Sequence, residues 1–121
     1  MSDEYVKWRK KTRSRDLTGL GWLEAEILRI VWDKGEVKVR DVYEELRLRR
    51  RIAYTTVMSV LRNLHLKGLL DQEKAQAGYV YRPIVSDVDV AKGILDDVVE
   101  TIMGGRTEPL IEYLESYDGK H

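Results

Sequence analysis

At Gly68 the spacing of apolar residues changes from the period of a helix to that of a strand, and this change narrows the possible folds. Before Gly68, apolar residues recur every three or four positions in three separate segments, which is the period of a helix. After it, residues 69–74 and 79–84 are predicted as two strands joined by Ala75-Gln76-Ala77-Gly78, in which the glycine permits a turn conformation that other residues resist. The predicted order is therefore three helices followed by a β-hairpin.

The bounds of the three helices follow from residues that begin or end helices. Thr18 can cap the first, which we expect over residues 18–34, before a short extended piece around Val37. The second helix is predicted over residues 39–47 and the third over 54–67, where a glycine stops it. The expected fold class is mostly α with a small β-hairpin: a winged helix-turn-helix followed by a helical region.

The third predicted helix has two unlike faces. Its buried stripe is predicted to be Val57, Val60, Leu61 and Leu64. The opposite face starts with small hydroxyl side chains, which let a helix approach base edges, and continues with Arg62 and Asn63, which suit guanine and adenine. In a winged helix this element enters the major groove of double-stranded DNA. A solvated amphipathic helix is the alternative, which the helix and hairpin order disfavours. The predicted base-reading residues are Thr55, Thr56, Ser59, Arg62 and Asn63.

Charge is divided unevenly along the chain, although the formal net charge is zero. Residues 1–82 contain 18 Lys and Arg against 12 Asp and Glu, whereas residues 83–121 contain 3 against 9. The basic part is where a polyanion could bind, and its first 17 residues are predicted to be a flexible basic arm. The alternative for its loop arginines is a solvated charged loop. The residues expected to contact phosphates or to form the wing contact are Arg49, Arg50, Arg51, Lys74 and Gln76.

The acidic end carries a second amphipathic pattern. Ser86 begins a capping-box pattern for a fourth helix that ends at Gly104-Gly105, and a fifth short helix starts near Thr107. Their apolar face is too wide for one small winged domain to cover, so we expect a homodimer. The predicted dimerisation residues are Val88, Ala91, Leu95, Val98, Ile102, Leu110 and Leu114, extended by Ile94 and Val99. The predicted domains are 1–17 (arm), 18–84 (winged helix) and 85–121 (helical dimerisation region).

The sequence lacks the residues that several kinds of catalytic, metal-binding and redox site require. There is no cysteine, which excludes disulfides, thiolate metal sites and redox thiols. His65 and His121 have no catalytic or metal-binding set around them, and no glycine-rich phosphate loop is present. No apolar run is long enough to cross a membrane, and the first residues lack the apolar stretch of a signal peptide. We therefore expect a cytoplasmic protein that is not an enzyme, with no cofactor, metal or identified small-molecule substrate.

Taken together, four segments between Leu17 and Tyr117 resemble one known family, that of the penicillinase and methicillin-resistance repressors, which also includes copper-responsive repressors. The segments are LTGLGWLEAEILRIVWDKG, AYTTVMSVLRNLHLKGLL, YVYRP and the double glycine Gly104-Gly105. The resemblance implies a winged helix followed by a helical dimerisation region, inverted-repeat operators with a TACA-like half-site, and repression by blocking promoters. It also places the family's base-reading positions on Thr55, Thr56 and Ser59, with Arg62 following.

Three departures from the family pattern bear on regulation. Members released by proteolysis are cut at an Asn-Phe pair after the double glycine; the matching positions here are Glu112-Tyr113, in a chain without Phe. Copper-responsive members carry a C-terminal cysteine cluster, which this chain lacks. The family also continues into one more C-terminal helix, so we expect a smaller dimer interface here. Release by that protease is therefore not expected, and copper sensing by that route is excluded.

A second class of function stays open from the sequence alone: a winged helix used as a protein-interaction module of transcription or replication machinery. Such a module would not need hydroxyl and arginine side chains on the exposed face of its third helix. A third class, a small hydrolase, is disfavoured because the sequence offers no plausible acid and base pair.

Overall fold

The computed structural model describes residues 20–118, which form five helices and one three-stranded sheet. In chain order these are α1 (Trp22–Lys34), β1 (Val37–Lys38), α2 (Val39–Leu46), α3 (Tyr54–Leu66), β2 (Leu70–Ala75), β3 (Gly78–Pro83), α4 (Asp87–Asp97) and α5 (Glu108–Glu115). A π-helical segment, Val98–Ile102, continues α4. The predicted order of three helices, a hairpin and two further helices is confirmed. The predicted arm, residues 1–17, lies outside the described residues.

The N-cap of helix α1 lies three residues later than the sequence predicts. This N-cap is Gly21, whose backbone N–H donates to Glu24 Oε1 at 3.0 Å. This is the carboxylate half of a capping box, and the N-cap predicted at Thr18 lies outside the described residues. The same Glu24 oxygen lies 2.7 Å from Lys67 Nζ, which ties the start of α1 to the end of α3. The predicted end of α1 at Lys34 is confirmed.

The sheet has the order β1-β3-β2, with both pairs antiparallel. Both hairpin strands are displaced by one residue from their predicted ranges. Leu69 is not in β2 because its N–H donates to Leu64 O at 3.0 Å and closes the end of α3. The turn contains only Gln76 and Ala77, and Gly78 follows with a φ of 93°, a conformation that favours glycine. The hairpin predicted from the sequence is therefore present with a tighter turn.

The core lies where α1, α2 and α3 meet the sheet. The predicted stripe of α3 is confirmed, since Val57, Val60, Leu61 and Leu64 are all buried. They pack against fully buried side chains of α1 and α2, among them Leu28 and Leu46. Each such side chain contributes about 1.5–3 kcal/mol by leaving water, so these contacts fix which face of α3 is turned outward.

The start of α4 belongs to the same core. Val85 and Val90 are buried in it, and Trp32 Nε1 donates to Val85 O at 2.9 Å. Ile94 also packs against this core, so part of its side chain is already covered within one chain. The predicted cap is present, because Ser86 Oγ accepts a hydrogen bond from Asp89 N at 3.0 Å. The domain boundary at residue 84 remains a prediction. Residues that follow it, at the start of α4, pack in the winged-helix core.

Candidate nucleic-acid interface

Helix α3 presents the predicted base-reading residues to solvent. Its buried stripe faces the core, so Thr55, Thr56, Ser59, Arg62 and Asn63 are all exposed. At 100° per residue, Thr55, Ser59 and Arg62 lie along the middle of the exposed face, while Thr56 and Asn63 lie on one flank. The five predicted residues thus share one surface, but only three of them share its centre.

Both ends of α3 are held in place. At its start, the ring of Tyr54 meets the ring of Tyr43 from α2 edge to face, with 5.4 Å between the centroids. At its end, His65 Nδ1 lies 2.9 Å from Leu70 O, which joins the helix to the first residue of β2. The exposed face of α3 is therefore fixed relative to both α2 and the hairpin. A binding surface on a helix held in this way is more precisely positioned than one on a loop.

An open cleft of about 780 Å³ separates α3 from the hairpin. Its cations are Lys38, Arg40 and Arg62, and its rings include Tyr54 and Tyr79. Lys38 and Arg40 were not among the predicted site residues. They reach the cleft because β1 pairs with β3 through Val37 and Lys38. The alternation of apolar and basic residues in Val37-Lys38-Val39-Arg40 was the signal that could have found them.

Two of the predicted phosphate-contacting arginines are engaged inside the chain. Arg49 lies 3.3 Å from Glu26 and 2.9 Å from Glu45, and Arg50 lies 2.9 Å from Glu26. The guanidinium of Arg50 also sits over the ring of Trp22, 4.6 Å from its centroid. The contact between Arg50 Nη2 and Glu26 Oε1 is an ion pair. Glu26 Oε1 and Arg50 Nε are both buried and have no hydrogen-bond partner among the described residues.

These contacts give Arg49 and Arg50 a structural position that the sequence did not predict. They join α1, α2 and the loop that leads into α3. Arg51, in contrast, is exposed and forms no ion pair with any residue of the range 20–118. Among the three loop arginines, Arg51 is therefore the one whose charge is best placed to meet a phosphate.

The hairpin carries the predicted wing residues at its exposed end. Gln76 is at the turn and exposed, and Lys74 is exposed on β2 opposite Tyr79. Arg82 lies lower on β3 and is paired with Glu36 at 2.8 Å and with Glu73 at 3.6 Å. The hydrogen bond to Glu36 raises the pKa of Arg82. The charge of this guanidinium is offset by Glu36 and Glu73, so Arg82 adds little to the basic surface.

The predicted dimerisation residues lie together on the outside of α4 and its π-helical continuation. Val88, Ala91, Leu95 and Ile102 are exposed, with Ile102 at 61%, and Val98 is half-buried. On α5, Leu110 is half-buried and Leu114 is exposed. The C-terminal region thus has one face on the winged-helix core and a separate apolar face uncovered in the single chain.

Other kinds of site are not found in the part of the chain that the structure describes. Within residues 20–118, no three His, Cys, Asp or Glu side chains are grouped so that they could hold a metal ion. No helix in this range is long and apolar enough to cross a membrane.

The fold defines the class of this protein. The solution structure of the DNA binding domain of the repressor BlaI superposes on it with a TM-score of 0.54 at 22% sequence identity, covering 63% of this chain and 93% of that one. The three helices, the three-stranded antiparallel sheet and the wing hairpin are those of a winged-helix protein, as the sequence predicted.

The sequence comparisons define the family. The model of the penicillinase repressor family matches residues 20–118, so this chain belongs to that family. The transcriptional regulator BlaI of Mycobacterium tuberculosis (strain ATCC 25618 / H37Rv) is 34% identical over 102 residues, covering 82% of this chain and 74% of that protein. The methicillin resistance regulatory protein MecI of Mammaliicoccus sciuri is 23% identical over 99 residues, covering 78% of each. The family resemblance stated from the sequence is confirmed.

Proposed function

We propose that this protein is a DNA-binding transcriptional repressor that acts as a homodimer on inverted-repeat operators. The observation that carries the proposal is the exposed face of α3, where hydroxyl side chains and Arg62 stand on a rigid helix beside a wing. Membership of the penicillinase repressor family supports it, as do relatives named as a transcriptional regulator and a resistance regulatory protein. The side chains of this face are exposed and do not pack in the core, so packing does not dictate which residues occupy it.

The dimensions of α3 suit the major groove. Its 13 residues make a rod of about 20 Å at a rise of about 1.5 Å per residue. A major groove about 12 Å wide admits such a helix, and short side chains at Thr55 and Ser59 allow its backbone to come close to the base edges. Arg62, one turn further along the same face, can donate two hydrogen bonds to guanine. Thr56 and Asn63, on the flank, reach neighbouring bases.

Cations surround this helix on both sides. Lys38 and Arg40 stand across the cleft from it, Arg51 precedes it and Lys74 projects from the wing. Such residues orient a protein on the duplex through phosphates and carry no sequence information, whereas the face of α3 supplies the sequence preference. A winged helix that binds only other proteins would need neither the surrounding cations nor the hydroxyl and arginine face of α3, which distinguishes it from the proposed repressor.

The uncovered apolar face of the C-terminal region supports a two-fold dimer. Leu95 and Ile102 expose aliphatic surface on one side of α4 and its continuation, while Val90 on the other side is buried in the core. A patch of this kind on a small chain marks an interaction surface, and a second copy of the same chain provides an equally apolar partner. Dimerisation would place two α3 helices about 34 Å apart on one side of the duplex, which matches an inverted repeat.

The proposal is tested by selecting bound duplexes from a random pool with the full-length chain. We expect enrichment of an inverted repeat whose half-sites are separated by about one helical turn. Single, unpaired half-sites would contradict the dimer, and a pool that shows no enrichment would contradict sequence-specific binding. A variant with Thr55, Ser59 and Arg62 all changed to Ala serves as the control and should lose the enrichment while staying folded, because none of the three is buried.

A further inference from the structure

The cleft between α3 and the hairpin has a lining that DNA contact alone does not explain. Four large apolar or aromatic side chains that the winged-helix region exposes lie along it: Tyr54, Met58, Leu66 and Tyr79. Side chains that meet phosphates are cationic or polar, and those that read bases are mostly hydrogen-bonding groups. Apolar side chains gathered in one concave place are typical of a groove that holds a ligand.

The charged groups of this cleft have a single sign. Lys38, Arg40 and Arg62 contribute to it, and no Asp or Glu is among the described residues that line it. Two nearby carboxylates are used elsewhere, since Asp41 accepts a hydrogen bond from the backbone N–H of Lys38 and Glu36 pairs with Arg82. The walls of the cleft therefore do not neutralise its cations, and an anion is the complementary partner.

Size and aromatic content narrow the ligand further. The volume of about 780 Å³ lies within the range of small-molecule sites, about 300–1,000 Å³. The exposed rings of Tyr54 and Tyr79 offer faces and edges against which a planar ring can stack. We infer that this cleft binds a small planar aromatic anion, such as an aromatic carboxylate, and that this ligand competes with DNA.

Competition follows from shared residues. Ser59 and Arg62 line the cleft and also belong to the base-reading face of α3. A carboxylate held by Arg62 occupies the guanidinium that would otherwise face guanine. This part of the inference rests on the proposed function, whereas binding of the anion itself does not, so the two are tested separately.

Binding is tested without DNA by nuclear magnetic resonance of the full chain with isotope-labelled methionine methyl groups and naphthoate as the probe. Met58 lies in the cleft and Met103 lies beyond it at the end of the π-helical segment, so the second methyl group is an internal control. We expect a saturable ring-current shift of the Met58 signal and no comparable shift of Met103. Equal shifts at both, or no shift at Met58, would overturn the inference.

The chemical class of the ligand is tested with two analogues and two variants. Neutral naphthamide and the non-aromatic cyclohexanecarboxylate should each shift the Met58 signal much less than naphthoate does. Arg62→Gln should weaken naphthoate binding by about tenfold or more, the loss of one charge-assisted hydrogen bond, whereas Arg51→Gln outside the cleft should not change it. Equal affinity for all three compounds, or equal effects of the two variants, would show that the cleft does not select an aromatic anion.

The competition is tested by fluorescence anisotropy on the selected duplex. Naphthoate should release the duplex at the concentrations that saturate Met58, and cyclohexanecarboxylate should not. If naphthoate saturates Met58 while the duplex stays bound, the competition is wrong although the ligand site stands. If the duplex does not bind before any ligand is added, the proposed function fails. The shift of the Met58 signal still shows whether the cleft binds naphthoate.

Discussion

Glu26, on α1, connects that helix to the loop before α3 through Arg49 and Arg50. Its side chain is only 17% exposed, and it faces Arg49 and Arg50 at 3.3 and 2.9 Å. A carboxylate in this position offsets two positive charges in a partly dehydrated place. Removing its charge would leave both guanidinium groups without this compensation. The same contacts hold the loop that leads into α3.

We therefore expect Glu26→Gln to lower the free energy of unfolding by about 1–3 kcal/mol. The matched control is Glu44→Gln, which breaks an exposed pair with Arg47 at 3.4 Å and should change stability by less than about 0.5 kcal/mol. Guanidinium chloride unfolding followed by tryptophan fluorescence measures both. Equal losses for the two variants would mean that the cluster around Glu26 contributes no more than an ordinary surface pair.

Arg62 and Arg51 should have different effects on DNA binding. Arg62→Ala removes a side chain from the base-reading face, so the preference for the selected duplex over a scrambled one should fall by about 1–3 kcal/mol. Arg51→Ala removes a proposed phosphate contact and should weaken binding to both duplexes about equally. Anisotropy titrations at fixed salt give the two ratios. Uniform loss on both duplexes for Arg62→Ala would show that α3 does not read sequence through this residue.

Among the secondary-structure elements, those with a strong local period could be predicted and those that depend on distant contacts could not. Helix α3 and the hairpin follow from apolar spacing and from Gly68 and Gly78, so they were predicted to within about one residue. Strand β1 has only two residues and exists because β3 pairs with it. The π-helical segment after Asp97 has no local signal in the sequence that we can identify.

The same distinction applies to the candidate site. The exposed face of α3 could be predicted because exposure follows from the buried stripe of the helix. The pairing of Arg49 with Glu26 could not, since it depends on how α1 packs beside α2, across 23 residues of sequence. The cleft was missed for the same reason, because β1 and the sheet bring Lys38 and Arg40 to it.

The N-caps of α4 and α5 differ in whether a side chain accepts a hydrogen bond from the helix backbone. Ser86 Oγ accepts a hydrogen bond from Asp89 N, whereas Thr107 at the start of α5 makes no side-chain cap within the described residues. Ser86→Ala should therefore cost about 0.5–2 kcal/mol of stability, and Thr107→Ala should cost much less. Thermal unfolding monitored by circular dichroism compares them. An equal or larger loss for Thr107→Ala would show that the Ser86 cap does not stabilise α4.

Along the sequence, charge is divided between a basic N-terminal part and an acidic C-terminal part. The excess of Lys and Arg lies in residues 1–82, and the excess of Asp and Glu lies in residues 83–121. In a dimer joined through the C-terminal parts, the acidic surfaces would lie away from the duplex and the basic surfaces against it. Opposed charge at the two ends would favour one orientation of the dimer on DNA.

Binding should accordingly depend strongly on salt. If each chain of a dimer neutralises about 3–5 phosphates, the logarithm of affinity should fall against the logarithm of salt concentration with a slope of roughly −5 to −9. Anisotropy titrations at several salt concentrations give the slope for the wild type and for Arg51→Ala, which should reduce it by about two units, one per chain. A slope near zero would contradict phosphate contact by the basic residues.

Dimerisation through the C-terminal apolar face is the claim on which operator recognition depends. Leu95 is exposed and Val98 half-buried on that face, so Leu95→Asp with Val98→Asp should separate the chains without unfolding the core. Leu95→Met with Val98→Ile keeps the apolar surface and is the matched control, expected to remain dimeric. Burial of several such side chains per chain, at about 1.5–3 kcal/mol each, is sufficient for a stable dimer.

Sedimentation velocity with the selected inverted-repeat duplex measures the assembly directly. The wild type and the Met/Ile control should sediment as dimers at micromolar concentration and place two chains on each duplex. The Asp/Asp variant should sediment as a monomer, keep its circular dichroism spectrum and bind the duplex far more weakly. A monomeric wild type that binds one chain per duplex, or an Asp/Asp variant that keeps full affinity, would contradict the dimeric repressor.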